Sequence, residues 1–241
     1  MMAINKIKLT QVDQVVAALE QNGGYATFSD LNHIVDTSEW KTKTPAASIR
    51  GIVQTHPKLF YRLMPGQWGL ISMKTKIENG GVSVKSEKYT HGYYQGLLVD
   101  IGNAKKFLTY VPPQDKNRDY SHQKLGKIIT MPSLVEFTTE RIMRKAKTVD
   151  TIWMNCRDMP DSFFEVEHTT DIRNSLDKFY ELQDFRANFF IVSDAKNKAR
   201  FDDLLMWSQY KEIKDFVRFY DYEKLFKLHA STMVALEVSM D

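Results

Sequence analysis

The fold is decided by two neighbouring stretches, Val149-Asp150-Thr151-Ile152-Trp153-Met154 and Phe163-Phe164-Glu165-Val166-Glu167-His168. Apolar and acidic residues alternate from Phe164 to Glu167, and a period of two predicts a strand whose two faces meet different surroundings. Phe164 and Val166 would then share one face, and Glu165 and Glu167 the other. The turn-rich residues between the two stretches predict a hairpin, which would bring Asp150 beside the two glutamates.

Three carboxylates at the end of one hairpin repel one another unless a cation lies among them. Hard divalent cations such as Mg²⁺ bind oxygen ligands of this kind. The trio therefore predicts a metal-dependent site that cuts phosphodiester bonds. From the pattern alone, the alternative is a half-exposed edge strand that carries two outward-facing glutamates with no function.

The composition is that of an ordinary globular protein, and 241 residues suffice for one large domain or two small ones. The longest apolar runs, such as residues 189–192, are too short to cross a bilayer, and the first residues do not form an export signal. Cys156 is the single cysteine, which excludes an intrachain disulfide and a Cys-x-x-Cys zinc site. We therefore expect a cytoplasmic protein that does not associate with membranes.

Positive charge is concentrated in one segment of the chain. Residues 37–74 carry six basic residues and one acidic residue, whereas the net charge of the whole chain is only +3. The rest of the chain is therefore slightly negative. A compact basic segment of this kind predicts a module that binds a polyanion such as nucleic acid. Scattered lysines that only aid solubility are the alternative.

The N-terminal part has the order of elements of a winged helix. Apolar residues at helical spacing predict a first helix over residues 12–19, ended by the Asn-Gly-Gly of residues 22–24. A second helix is predicted with Ser29 as its N-cap, and a third with Thr44 as its N-cap and a proline at the first helical position. Two strand-like segments around a Pro-Gly turn, within residues 59–71, predict a hairpin.

This part, from about residue 8 to 72, resembles the HARE-type helix-turn-helix domains. The resemblance depends on the stretches Thr44-Pro45-Ala46-Ala47-Ser48-Ile49 and Phe60-Tyr61-Arg62-Leu63-Met64-Pro65-Gly66-Gln67-Trp68-Gly69-Leu70. In winged helices the third helix usually lies in the major groove of DNA. The resemblance implies that Lys41, Lys43, Ser48 and Arg50 face DNA and that Lys58 and Arg62 lie near phosphates. A winged helix that contacts protein is the alternative.

Beyond this part, residues 73–88 are polar, contain glycine and show no periodicity, which predicts a linker. We therefore expect a domain over residues 1–74, a linker over 75–88 and a second domain over 89–241. Apolar patterns in the second domain predict helices at residues 91–105, 134–146, 175–185 and 198–207, and strands at 107–111, 149–154, 163–167, 188–193 and 216–220. This alternation predicts an α/β fold, or α+β for the chain as a whole.

The chain has a strand that bears Asp, a hairpin, a strand that bears Glu-x-Glu, and then a helix and a strand. This order of elements resembles the PD-(D/E)XK nuclease superfamily. Two stretches resemble, more narrowly, a subgroup of bacterial restriction endonucleases. They are Val149-Asp150-Thr151-Ile152-Trp153 and Phe164-Glu165-Val166-Glu167-His168-Thr169-Thr170-Asp171-Ile172. Gln95-Gly96-Leu97-Leu98 and Gly102 match the first core helix of that subgroup. The resemblance covers about residues 90–195. It implies a mixed sheet flanked by helices and cleavage of DNA with Mg²⁺, for which Mn²⁺ can substitute.

The resemblance also implies roles for particular residues. Asp150 and Glu165 would bind the metal directly, and the main-chain carbonyl of Val166 would complete the ligand set. Glu167 stands where most members of the superfamily carry lysine, and this departure leaves more than one role open for it. It could orient or deprotonate the attacking water, or help to bind a second metal.

Several further polar residues are weaker candidates. Gln95 and Glu140 each lie on a predicted helix and could supply an auxiliary polar contact, although a solvated side chain is the more common state of such a glutamate. For His168 we expect a hydrogen-bonded position in the core. The lysines at 145, 147 and 178 could approach phosphate or could be surface charges.

Taken together, these patterns predict a type II-like restriction endonuclease that cuts double-stranded DNA at a specific, modified or unmodified, site. Because both strands must be cut, a homodimer is expected, with symmetry that matches a palindromic target. Two alternatives stay open. One is a DNA-binding regulator whose inactive nuclease-like half mediates dimerisation, and the other is a repair nuclease that recognises DNA structure.

Overall fold

A computed structural model of the chain describes residues 9–64, 66–78, 86–120, 123–168 and 171–239. Contacts divide the chain into two compact units, residues 1–84 with 234–241, and residues 85–233. Within the described ranges, each unit contains its own β-sheet. Among the described residues, no helix combines the length and the apolarity that a membrane span requires.

The first unit consists of helices around a three-stranded antiparallel sheet of order β1-β3-β2. Side chains that include Val15, Leu19, Leu31 and Val53 form its buried apolar interior. In chain order its elements are α1 (Gln11–Gln21), β1 (Tyr25–Thr27), α2 (Phe28–Ile34), α3 (Pro45–Thr55), β2 (Phe60–Met64), β3 (Gln67–Leu70) and α4 (Lys74–Glu78).

The three predicted helices and the predicted hairpin of this unit are confirmed, and Pro45 is the first residue of α3. The prediction that Ser29 caps the second helix is wrong. Thr27 is the N-cap of α2, because its hydroxyl accepts from the main-chain N–H of Asp30 while the Asp30 carboxylate accepts from that of Thr27. This reciprocal pair satisfies two N–H groups at once, which a serine with asparagine three residues later does not offer. Pro65 of the predicted turn lies outside the described residues.

The second unit is built on a five-stranded mixed sheet of order β10-β9-β8-β7-β4. Strands β4, β7 and β8 pair antiparallel, whereas β8, β9 and β10 pair parallel. In chain order its elements are α5 (Ser86–Ala104), β4 (Leu108–Tyr110), β5 (Asp119–Tyr120), β6 (Gln123–Lys124), α6 (Leu125–Ile128), α7 (Glu140–Ala146), β7 (Thr151–Met154), β8 (Pro160–Glu167), α8 (Ile172–Glu181), β9 (Asn188–Ser193), α9 (Lys198–Leu205), β10 (Val217–Asp221) and α10 (Tyr222–Ser239), of which residues 234–239 belong to the first unit.

Strand β8 lies in the middle of this sheet and is covered on both faces. Phe164 and Val166 pack in one apolar cluster with residues of α5 and α6. Phe163 packs in a second cluster with residues of α7, α8 and α9. The predicted α/β class, a mixed sheet flanked by helices, is therefore confirmed. The edge-strand alternative is wrong, since β8 has a neighbour on each side and Glu165 is 2% exposed.

Some predicted boundaries are wrong. The helix predicted from residue 134 begins at Glu140, because the apolar residues before it pack against the core without forming a helix. The stretch expected to be an irregular linker contains α4 and the start of α5, while residues 79–85 lie outside the described residues. The short elements β1, β5, β6 and α6 were not predicted, because two to four residues are too few to show a period. The final helix, α10, was also missed.

Candidate functional site

The three predicted carboxylates lie together at one end of the mixed sheet. Asp150 immediately precedes β7, and Glu165 and Glu167 lie near the end of β8. The main-chain N–H of Val166 donates to Oδ2 of Asp150 at 2.8 Å, which holds this carboxylate against β8. Burial, followed by the negative charge of Asp150, raises the pKa of Glu165 well above its usual value. The hairpin thus brings the trio together as its sequence pattern predicted.

The cation among these carboxylates is the ammonium group of Lys178 on α8. Its Nζ lies 2.9 Å from Oε1 and 2.8 Å from Oε2 of Glu165, and it also donates to the carbonyl of Thr148 at 3.1 Å. The Lys178 side chain is 17% exposed, so this is a buried ion pair. Burial alone would lower the pKa of Lys178, but Glu165, Asp150 and Glu167 together raise it. Lys178 is therefore a functional candidate rather than a surface charge.

One turn before Lys178, Ser175 contacts both glutamates. Its hydroxyl donates to Oε2 of Glu165 at 3.3 Å and makes a short hydrogen bond with Oε1 of Glu167. Burial raises the pKa of Glu167, and the hydrogen bond from Ser175 opposes that effect. The spacing of Ser175 and Lys178, three residues apart on one helix face, was the sequence signal that could have identified both.

The two auxiliary candidates differ in position. Gln95 on α5 is fully buried, and its amide donates to the carbonyl of Asp150 at 2.8 Å and to Oδ2 of Asp115 at 2.9 Å. Glu140 is exposed at the first position of α7 and has no hydrogen bond or ion pair with any described residue. The structure thus brings Gln95 to the site and leaves Glu140 at the surface.

His168 follows β8 and lies among aromatic rings. Its Nδ1 is 2.6 Å from the hydroxyl of Tyr222, a ring that stacks on Tyr94 at 3.8 Å between centroids. Burial, and then the nearby His91, lowers the pKa of His168 to about 4. The ring is therefore neutral at physiological pH. Its buried Nε2 has no hydrogen-bond partner among the described residues.

The sequence patterns did not identify a second group of residues that could bind a metal ion. His91, Asp115 and Asp150 each offer an atom, and these atoms lie within 4.8 Å of one another. His91 precedes Gln95 by one turn of α5, so the two side chains share a helix face, and this spacing was a usable signal. Asp115 carried no such signal, because it lies in the loop after β4 and reaches the site only through the tertiary fold.

The donor atoms at the carboxylate site suit a hard divalent cation. Oδ1 of Asp150 accepts no hydrogen bond from the part of the chain that the structure describes. Both oxygens of Glu165 accept from Lys178, but a carboxylate has about four lone-pair positions and can bind a cation as well. The residues Asp150, Glu165 and Val166 therefore fit the Mg²⁺ that the sequence predicted.

The first unit places the six predicted DNA-contacting residues in two different environments. Lys41, Lys43, Lys58 and Arg62 are exposed. Ser48 is hydrogen-bonded to the hydroxyl of Thr42 at 3.2 Å, and the guanidinium of Arg50 lies 5.1 Å from the centre of the Phe28 ring.

Fold and site together define an α/β protein with a buried, lysine-bearing carboxylate cluster at one end of a mixed sheet. Comparison with known families makes this class specific. Residues 72–238 match the model of the family described as the type II restriction enzyme NmeDI C-terminal domain. Since the match covers well over half of the chain, the chain belongs to this family. No curated protein and no solved structure matches the chain.

Proposed function

We propose that this protein is a type II-like restriction endonuclease that hydrolyses phosphodiester bonds of double-stranded DNA at a specific site. In this proposal the second unit is a PD-(D/E)XK nuclease domain and the first a winged-helix DNA-binding domain. The observation that carries the proposal is the buried Glu165–Lys178 ion pair beside Asp150 and Glu167. Membership of a family named for a type II restriction enzyme supports it.

The residues of the cluster suit the three needs of phosphodiester hydrolysis, which are an activated water, a neutralised phosphate and a stabilised leaving oxygen. A Mg²⁺ ion held by Asp150, Glu165 and the carbonyl of Val166, or Mn²⁺ in its place, would supply Lewis acidity and lower the pKa of a bound water. The ammonium of Lys178 would stabilise negative charge on the phosphate and orient the water. Lys178 on α8 would thereby take the role of the lysine that most members of the superfamily carry on β8, at the position of Glu167.

Glu167 would then accept a proton from the attacking water. Its partly buried carboxyl has a raised pKa and is held in position by Ser175, two properties that suit a general base near neutral pH. Gln95 would act as a positioning residue, since it fixes the main chain at Asp150 rather than the reacting atoms.

The first unit would supply affinity for DNA. The exposed Lys41, Lys43, Lys58 and Arg62 are suited to phosphate contacts, which fix the register of a protein on the duplex. Ser48 and Arg50, which are only partly exposed, would contribute to the stability of the unit through Thr42 and Phe28. Helix α3 would enter the major groove.

Because one carboxylate cluster cuts one strand at a time, we propose a homodimer as the active form. Sedimentation velocity should then give, for the complex with cognate DNA, the mass of the duplex plus twice the 28.0 kDa of the chain. A monomer on DNA that is nevertheless cut in both strands would contradict the dimer without contradicting the nuclease.

The test is cleavage of unmodified and base-modified phage DNA in Mg²⁺ and in EDTA. Wild type should yield discrete fragments with Mg²⁺ alone, whereas Asp150→Asn should yield none. The matched control is Asp158→Asn in the exposed turn between β7 and β8, where φ is 57° and asparagine is well tolerated. This control should cut like wild type.

Each alternative predicts a different result when branched and damaged duplexes are added to the substrates of this assay. Intact DNA on every substrate, with binding retained, would overturn the proposal in favour of the regulator. Cleavage of branched or damaged DNA without discrete fragments from phage DNA would favour the repair nuclease.

A further inference from the structure

His91, Asp115 and Asp150 form a ligand cluster next to the carboxylate site but with a different set of atoms. His91 comes from α5, Asp115 from the loop after β4, and Asp150 from the start of β7. Their ligand atoms all lie within 4.8 Å of one another, a spread that one divalent cation with bonds of about 2.0–2.6 Å can span. Imidazole and carboxylate are both common metal ligands in proteins.

Two buried polar atoms at this cluster have no hydrogen-bond partner among the described residues. One is Nε2 of His91, which lies 3.4 Å from Oδ1 of Asp150 without hydrogen-bond geometry. The other is Oε1 of the fully buried Gln95, whose amide nitrogen contacts both Asp115 and Asp150. A buried polar atom without a partner destabilises the folded protein. A cation between His91 and Asp150 would supply the missing partner of Nε2 of His91.

The distribution of charge also favours a cation at this position. The ammonium of Lys178 pairs with Glu165, and the guanidinium of Arg118 pairs with Oδ1 of Asp115. Asp150 has no ion pair with a lysine or arginine among the described residues. The cluster therefore keeps a net negative charge, which a divalent ion would balance. The nearby Arg118 would limit the affinity.

We propose that His91, Asp115 and Asp150 bind a divalent cation of their own, separate from the Mg²⁺ of the proposed nuclease site but sharing Asp150 with it. The nitrogen ligand makes this position prefer Mn²⁺ over Mg²⁺, because imidazole suits transition metals and Mg²⁺ favours oxygen ligands in a strict octahedron. The proposal goes beyond the proposed function, since the ion can bind whether or not the protein cuts DNA.

The test is spectroscopy of Mn²⁺ bound to the metal-free, full-length protein. Pulsed electron paramagnetic resonance should detect an imidazole nitrogen bonded to Mn²⁺, which the oxygen ligands of Asp150, Glu165 and Val166 cannot produce. His91→Phe should abolish the nitrogen signal and weaken Mn²⁺ binding at this position at least about tenfold, since loss of an outer-shell partner alone costs about 10–100-fold.

Two control variants make the outcomes distinct. His229→Gln removes a histidine that pairs with Asp100 at 3.1 Å and that belongs to no three-residue ligand group among the described residues, so the nitrogen signal should persist. Glu165→Gln should abolish DNA cleavage and yet keep the signal. Bound Mn²⁺ without a nitrogen signal in wild type, or a signal unchanged in folded His91→Phe, would overturn the metal site and leave the nuclease proposal standing. If wild type cuts no DNA while its nitrogen signal is present, the nuclease proposal is overturned and the metal site stands.

Discussion

At the scale of single residues, Lys178 has the largest expected effect on stability. Lys178→Met leaves the carboxylate of Glu165 buried without its cation, and breaking a buried ion pair in this way costs about 3–5 kcal/mol. The pKa of Glu165 is already raised by burial and by Asp150, and loss of Lys178 raises it further. A carboxyl with a raised folded-state pKa binds protons more tightly in the folded state, so the loss of stability should shrink as the pH falls.

Urea unfolding of Lys178→Met at pH 8 and pH 6 measures this effect. The exposed Lys145→Met on α7 is the matched control and should stay within about 0.5 kcal/mol of wild type. The double variant Lys178→Met/Glu165→Gln should regain part of the lost stability, because it removes the unpaired charge. An equal loss at both pH values, with no gain in the double variant, would show that the ion pair contributes little.

His168 should make stability depend on pH in the opposite sense. Its folded-state pKa is lowered from 6.5 to about 4, so the folded state disfavours the proton that the unfolded chain accepts. The contribution of neutral His168 to the free energy of unfolding is therefore fully present above about pH 6.5 and is lost as the pH falls toward 4. In His168→Gln, the free energy of unfolding should fall less over this range than in wild type. Parallel curves for the two proteins would contradict the low pKa.

At the scale of elements, two helical glycines should respond in opposite ways to alanine. In α5, a Cβ on Gly96 would lie 2.0 Å from Cδ2 of Tyr120, so Gly96→Ala should force the helix away from β5 and cost about 1–3 kcal/mol. In α3, nothing lies within 4 Å of a Cβ on Gly51. Gly51→Ala should therefore be neutral or stabilise the protein by up to about 1 kcal/mol. Thermal unfolding of the two variants checks the contrast, and a stabilised Gly96→Ala would contradict the close contact.

At the scale of the whole molecule, the two units should have separable roles in DNA binding. Lys41→Gln/Lys43→Gln should reduce the slope of log affinity against log salt by about 2, since each lysine that contacts a phosphate contributes about one unit. Lys211→Gln/Lys214→Gln, which changes two exposed lysines of the second unit, should leave the slope unchanged. Fluorescence anisotropy with a labelled duplex gives both slopes. If the two pairs behave alike, the basic segment would be no DNA-binding module.

The sequence by itself predicted the features that depend on local order. Period-two alternation in β8 predicted that Phe164 and Val166 share a buried face, and the hairpin placed Asp150 beside Glu165. Pro45 marked the start of α3, because the fixed φ of proline and its missing N–H are local restrictions that suit the first position of a helix. Such signals span a few residues and need no knowledge of the rest of the chain.

The tertiary structure alone decided what balances and surrounds those carboxylates. Lys178 is thirteen residues from Glu165 in sequence, and Asp115 is thirty-five residues from Asp150, yet both lie at the same end of the sheet. Asp115 carried no periodic signal, since an aspartate in a loop is an ordinary surface residue by pattern. The helical spacing of Lys178 from Ser175 was a signal, but it did not say which carboxylate the lysine would meet. The packing of α5, α8 and the loop after β4 on the strands buries them, and in a medium of low dielectric constant a buried charge needs a partner nearby.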